Sequence, residues 1–140
     1  MAKVATFLYC LGTENQQKPG APITAIGILP VLTPEFIPSA FSFSIVLGIV
    51  GLTDDRDHIL DIYFKDNNHK PVVEAKNIKI PVEAMKNGDL ELPDEAKGLM
   101  LSMELKNAIL REEGMYSTEI HFDGDCLGEY EIYVKAKNNS

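Results

Sequence analysis

A chain of 140 residues, 45% apolar and 24% charged, is long enough to bury a core without metals or disulfides, and its composition excludes global disorder. Its 21 acidic residues against 13 basic ones leave a net charge of −8. That balance disfavours non-specific contact with nucleic acid or anionic lipid, and no cluster of Lys or Arg offsets it.

The opening Met1 to Ala5 lacks the ordered basic, apolar and cleavage regions of a signal peptide. The longest apolar stretch, 41–52, is interrupted by serines and glycines and is too short for a membrane helix. A cytoplasmic chain with no membrane partner is expected. Cys10 and Cys126 either close an inter-sheet disulfide or stay free; without an export signal, two free thiols are the plainer expectation. Neither has a second cysteine nearby, so linear spacing supports neither a redox pair nor a thiolate zinc site.

Taken in order, Val4 to Leu11 reads as a first strand, followed by a polar connection, 12–22, rich in Gly and Pro. Residues 23–31 resume β-prone sequence. Pro34 and Pro38 then make 33–40 an irregular crossover, because each restricts its predecessor and removes a backbone donor. Phe36 or Ile37 is expected to plug one end of the core. Phe41, Phe43, Ile45, Leu47 and Ile49 alternate on one face of the next strand. The opposite face turns from polar to apolar, as in a central strand covered on both sides.

After a charged turn, 53–57, Leu60, Ile62 and Phe64 face inward and Asp61, Tyr63 and Lys65 outward. Residues 72–83 form a weaker strand, with Pro81 favouring a sheet edge. A loop, 85–92, leads to a short helical turn at 93–99, where Pro and acids suit the start and Gly98 the stop. From Gly98, Leu99, Leu101, Met103 and Leu105 alternate as in a strand, while Met100, Met103, Ile109 and Leu110 could line a helix; a strand to about Leu105, then a short turn, is the expectation. The last hairpin is the clearest element. Tyr116, Thr118, Ile120 and Phe122 share one face, an Asp123-Gly124 turn follows, and Tyr130, Ile132 and Val134 return on the same side.

These seven to eight strands, one short helical turn and no long amphipathic helix predict an all-β fold, an antiparallel two-sheet sandwich, with a closed barrel as the structural alternative. One domain is expected over 1–136, with 137–140 as a flexible tail.

Several stretches carry a resemblance: the opening Ala5-Thr6-Phe7-Leu8-Tyr9-Cys10, the segment Ile23 to Ile28, the Pro34/Phe36/Pro38 crossover, Phe41 to Val46, and the ending with Gly114-Met115-Tyr116, Asp123-Gly124 and Leu127 to Tyr130. Across nearly the whole chain they resemble a family of uncharacterised bacterial and phage-associated domains with an immunoglobulin-like β-sandwich. The resemblance implies a fold and no catalytic residues. It also places Tyr116 where such sandwiches carry a tyrosine corner; a half-buried aromatic is the alternative.

No nucleophile elbow, phosphate loop or dinucleotide fingerprint occurs, so neither an enzyme nor a cofactor is expected and no catalytic residue is assigned. His58, His69 and His121 are scattered: two of them with Asp57 or Asp123 would suit a metal, but turn positions for His58 and His69 and a solvent face for His121 are the simpler expectation, with no metal site. Asp54, Asp55, Asp57 and Asp61, like Asp123 and Asp125, are either weak calcium ligands or ordinary turn residues. Tyr63 and Tyr133 project among charges opposite their apolar faces, and Phe36 sits on the crossover; these three form the expected interaction surface, with cover by a loop or pairing across strands as the alternative for the tyrosines. A sheet edge offers a second route, pairing with another copy. The sequence therefore points to a non-catalytic interaction or accessory module, phage-associated in the version the resemblance favours, with a protein partner or self-association. A small-molecule or weak calcium-binding sandwich is the alternative; a pocket lined by Phe36, Phe43 and Met103 would favour it.

Overall fold

The computed structural model describes residues 2–15, 22–53, 55–85 and 91–138. Nine strands form two sheets: β1 Lys3–Asn15, β2 Ile23–Ile28, β3 Val31–Leu32, β4 Ser39–Val50, β5 His58–Lys65, β6 Pro71–Ile80, β7 Gly98–Leu110, β8 Gly114–Phe122 and β9 Asp125–Val134. The four-stranded sheet runs β2-β1-β4-β7 and the five-stranded sheet β3-β9-β8-β5-β6. Every pairing is antiparallel except the short β3 against β9. The expected two-sheet sandwich is therefore the observed architecture. Two 3-10 turns, Val82–Met85 and Asp94–Ala96, lie between β6 and β7, where one helical turn was expected. Residues 16–21 of the first polar connection, 86–90 of the later loop, Asp54 and 139–140 lie outside the described residues.

Period-two alternation builds the core. Phe43, Ile45, Leu47 and Ile49 of β4 are fully buried, facing Leu60, Ile62 and Phe64 of β5 and Tyr116, Ile120 and Phe122 of β8. The sheets meet ring to ring where Phe43 lies 5.1 Å from Phe64. The other face of β4 is covered as well, with Ser44 and Val46 each 3% exposed. Past Cys10, β1 pairs only with β2, and this arm bends over the sheet. Thr13 Oγ1 thereby reaches Ser102 Oγ on β7, at 3.4 Å, although β4 separates β1 from β7 in the sheet. Cys10 is buried and Cys126 exposed, and both thiols are free.

The strand expected to end near Leu105 runs on to Leu110. Its inward residues are Leu105, then Ala108 and Leu110, a change of parity produced by a bulge rather than a turn. Phe43 pairs with Leu105 and Phe41 with Ala108, so β7 carries one residue more than β4. Asn107 takes the left-handed conformation (φ 52°), and its N–H donates to Ser42 Oγ at 2.9 Å. The edge strand β6 repeats the device: Asn77 has φ 59° and its N–H donates to Asp61 Oδ1 at 2.7 Å. At the other end of β7, Gly98 packs so closely on β4 that a Cβ would collide with the Ile49 carbonyl oxygen.

Two hydroxyls tie elements together. Tyr9 Oη donates to the Tyr130 carbonyl at 2.6 Å, leaving Thr118 Oγ1, 2.7 Å away, to donate to Tyr9 and so to join the two sheets inside the core. Burial holds the Tyr9 phenol well above its ordinary pKa. Tyr116 Oη donates to the Glu112 carbonyl at 2.7 Å, the bond of a tyrosine corner. In the last hairpin, Asp123 (φ 50°) and Gly124 (φ 89°) supply the two positive φ angles of a tight I′-type turn.

Of the two residues expected to plug one end of the core, Ile37, followed by a cis bond to Pro38, packs there, and Phe36 is 58% exposed. Two expectations need correction. The turn expected after Leu105 is the Asn107 bulge. His58 is not a turn residue; it opens β5 and is 3% exposed. At the C-terminus, the Lys137 N–H donates to Pro34 O at 2.8 Å and the Asn138 N–H to Glu35 O at 3.1 Å, so these two residues of the expected tail lie along the crossover.

Candidate functional site

The outer face of the five-stranded sheet gathers the chemistry-bearing side chains. Register sets its rows. Asp61 stands beside His121 and His121 beside Cys126; Glu74 beside Tyr63, then Glu119 and Glu129; Lys65 beside Ser117 and Glu131; Met115 beside Tyr133. Strand alternation puts Asp61, Tyr63 and Lys65 outward because Leu60, Ile62 and Phe64 are taken by the core.

Tyr63 sits half-buried at the centre of this face. His121 meets it edge to face at 5.1 Å and 88°. The Lys65 and Lys76 ammonium groups lie 6.0 and 5.8 Å from its ring centroid, at the outer reach of a cation–π contact. Lys65 Nζ also pairs with Glu119 Oε2 at 2.7 Å, and His121 Nε2 lies 3.0 Å from Glu119 Oε1. The hydrogen bond to Glu119 moves the Lys65 pKa up, and the bonds from Lys65 and His121 move the Glu119 carboxyl down. Tyr133 lies on the same face, 45% exposed, beside Met115 at 47%. From the register it stands roughly 16 Å from Tyr63, two strands across and four residues along. Phe36 is apart from both, on the crossover, where with Ile37 it lines a shallow recess near Glu113 and Asn138.

The acidic turn residues are engaged with backbone and bases. Asp57 accepts from the Val82 N–H and pairs with Lys79, Asp61 accepts from the Asn77 N–H, and Asp123 Oδ1 accepts from the Ile59 N–H. His58 Nδ1 lies 2.6 Å from Asp123 Oδ2 and Nε2 2.8 Å from the Thr53 carbonyl oxygen, with Arg56 3.6 Å from the same carboxylate. His58 and Asp123 thus do meet, as a clasp between the start of β5 and the β8–β9 turn. His69 occupies an exposed turn and His121 the outer sheet face, as expected. Phe43 is buried among Tyr9, Phe41 and Phe64, so it shares no surface pocket with the exposed Phe36.

Linear spacing did not announce one grouping. Ligand atoms of Glu119, His121 and Cys126 all lie within 4.8 Å of one another. Counting pairs outward from the Asp123-Gly124 turn finds it, because Phe122 opposes Asp125 and His121 then opposes Cys126.

Among solved structures, an immunoglobulin-like protein from Pseudomonas aeruginosa is similar over 96% of this chain and 97% of its own, at 11% identity and a TM-score of 0.52. The C-terminal domain of wzt is similar over 99% of this chain and 75% of its own, at 11% identity and a TM-score of 0.53. The alkylpurine DNA glycosylase AlkC of Pseudomonas fluorescens, bound to DNA containing an abasic site analog, is similar over 96% of this chain, at 10% identity and a TM-score of 0.53. This chain spans 30% of the glycosylase's length, and the likeness in all three is one of fold. No curated protein matches the sequence. Residues 13–135 match the model of a family of unknown function, and the chain belongs to that family, DUF6941.

Proposed function

We propose that this chain is a non-catalytic interaction module that docks a protein partner on the outer face of its five-stranded sheet, with Tyr63 and Tyr133 as the central contacts. The observation that carries the reading is Tyr63, an aromatic ring set among Lys65, Lys76, Glu119 and His121 on an otherwise regular sheet face. Rigid aromatics within a charged rim give large contact area at low entropic cost, and the rim charges select the partner. Tyr133 and Met115 extend the face with exposed apolar surface. The net charge of −8 favours a protein partner over DNA, the ligand named for the glycosylase neighbour. A cytoplasmic accessory role in a phage or mobile-element setting is the version favoured by the sequence resemblance. Phe36 belongs to a second, separate contact on the crossover.

The test is co-purification of tagged protein from its native cell, comparing wild type with Tyr63→Ala, Tyr133→Ala and Phe36→Ala. A stoichiometric partner retained by wild type and lost by folded Tyr63→Ala or Tyr133→Ala supports the reading; recovery of the chain itself identifies the partner as a second copy. A partner retained equally by both tyrosine variants, or none with wild type, overturns it.

A further inference from the structure

Glu119, His121 and Cys126 offer a carboxylate oxygen, an imidazole nitrogen and a thiol sulfur within 4.8 Å of one another on one sheet face. Tetrahedral zinc with such ligands needs donor atoms about 3.3–3.8 Å apart, closer than that limit, so binding has to draw the three side chains together. Glu119 and His121 are two apart on β8 and so share a face, and Cys126 is the cross-strand partner of His121. A bulge in the pairing between Ile120 and His121 lies beside that pair.

We propose that these three residues bind a zinc-class divalent transition-metal ion, with the fourth coordination position open to solvent. The mixed sulfur, nitrogen and oxygen set suits a borderline-soft ion and is a poor match for calcium or magnesium, which take oxygen ligands. The Tyr63 ring packs edge-on against the His121 imidazole, and Glu119 presents Oε1 to His121 while Lys65 competes for its other oxygen, Oε2. Cys126 is exposed, so the ion has an entry path, whereas Cys10 is buried and stands outside the site. Binding replaces the thiol proton with the metal and releases that proton to solvent. The ordinary alternative is a surface ion network, Lys65–Glu119–His121, beside an unrelated thiol, and the two differ in what they expect of Lys65. As a competitor for Glu119 and a like charge to the metal, Lys65 weakens metal binding; a network alone gives it no role in any.

Cobalt(II) titration followed by absorption, with zinc(II) competition and calorimetry on the intact chain, decides the matter. The expected result is one equivalent bound with a thiolate-to-cobalt charge-transfer band, displaced by zinc. Cys126→Ser abolishes that band, and His121→Ala weakens affinity by roughly tenfold or more, since even outer contacts of metal sites are worth that much. Lys65→Met tightens binding. The proposal is overturned by the absence of saturable binding, by a cobalt spectrum without the thiolate band, or by binding that Cys126→Ser leaves unchanged. Circular dichroism confirms that each variant is folded. The measurement is made on the protein alone, so its outcome is independent of whether a protein partner docks at Tyr63.

Discussion

The Tyr116 hydroxyl binds the carbonyl of Glu112 four residues upstream and so pins the β7–β8 corner to the strand that follows it. The same Glu112 carboxylate accepts from the Asn67 side chain at 3.3 Å, drawing the β5–β6 turn toward that corner. Tyr116→Phe keeps the buried ring and leaves the Glu112 carbonyl without this donor. A loss of about 1 kcal/mol is expected, read from the urea midpoint, because a typical intramolecular hydrogen bond contributes that much net. A variant as stable as wild type would show the corner to be held by packing alone. Position 116 was marked by the resemblance to sandwiches that carry a tyrosine corner at such a strand start, against the alternative of a half-buried aromatic. The Tyr9 clasp was not, since its partners Thr118 and Tyr130 are more than a hundred residues away. Linear pattern reports burial; it does not report which buried hydroxyl finds which acceptor.

At the scale of elements, the bulges at Asn77 and Asn107 share one construction. An asparagine takes a left-handed conformation, and a side chain on the adjacent strand accepts the N–H that the ladder gives up. Asn is among the few non-glycine residues that tolerate this backbone. Asn107→Val should therefore destabilise by about 1–2 kcal/mol, whereas Asn107→Gly should be near neutral. Thermal denaturation of the pair separates the two outcomes, and equal stability of the Val and Gly variants would refute a conformational origin. The alternation at Leu99, Leu101, Met103 and Leu105 was readable, as was its end after about Leu105. A break in period looks the same whether a turn or an extra residue causes it. The distinguishing contact, Ser42 with Asn107, joins residues 65 apart in sequence. The metal-site grouping was within reach of the sequence, since the Asp123-Gly124 turn sets the hairpin register. It also needed Tyr63 from β5 to orient His121, and no linear spacing supplies that contact.

For the whole molecule, acid should act through the clasp at one end of the sandwich. Burial pushes the Asp123 carboxyl up, but the His58 hydrogen bond, the Ile59 N–H and nearby Arg56 together hold it below its ordinary value of 3.8. A carboxyl depressed on folding contributes stability that is complete above the unfolded value and disappears as pH falls through the folded one. Wild type is expected to lose stability as pH drops from about 5 to 3, and Asp123→Asn to lose less across that window while starting lower near neutrality. Urea midpoints at several pH values measure both limbs; parallel curves would exclude Asp123 as a source. Asp55, Asp57 and Glu119 are depressed as well, so the variant removes one part of the acid response and not all of it.

The order of strands in the sheets also has a consequence for biosynthesis. β4 pairs with β7 and β5 pairs with β8, so each sheet is completed from the last third of the chain. A nascent chain that has emerged only as far as β6 can zip β1, β2 and β4 together and pair β5 with β6, but it leaves one edge of β4 and one of β5 unpaired. The apolar faces Phe43 to Ile49 and Leu60 to Phe64 can already meet, but these open edges wait for strands the ribosome has yet to deliver. The interval between synthesis of β6 and of β8, more than any state of the finished sandwich, is when this chain most needs a chaperone.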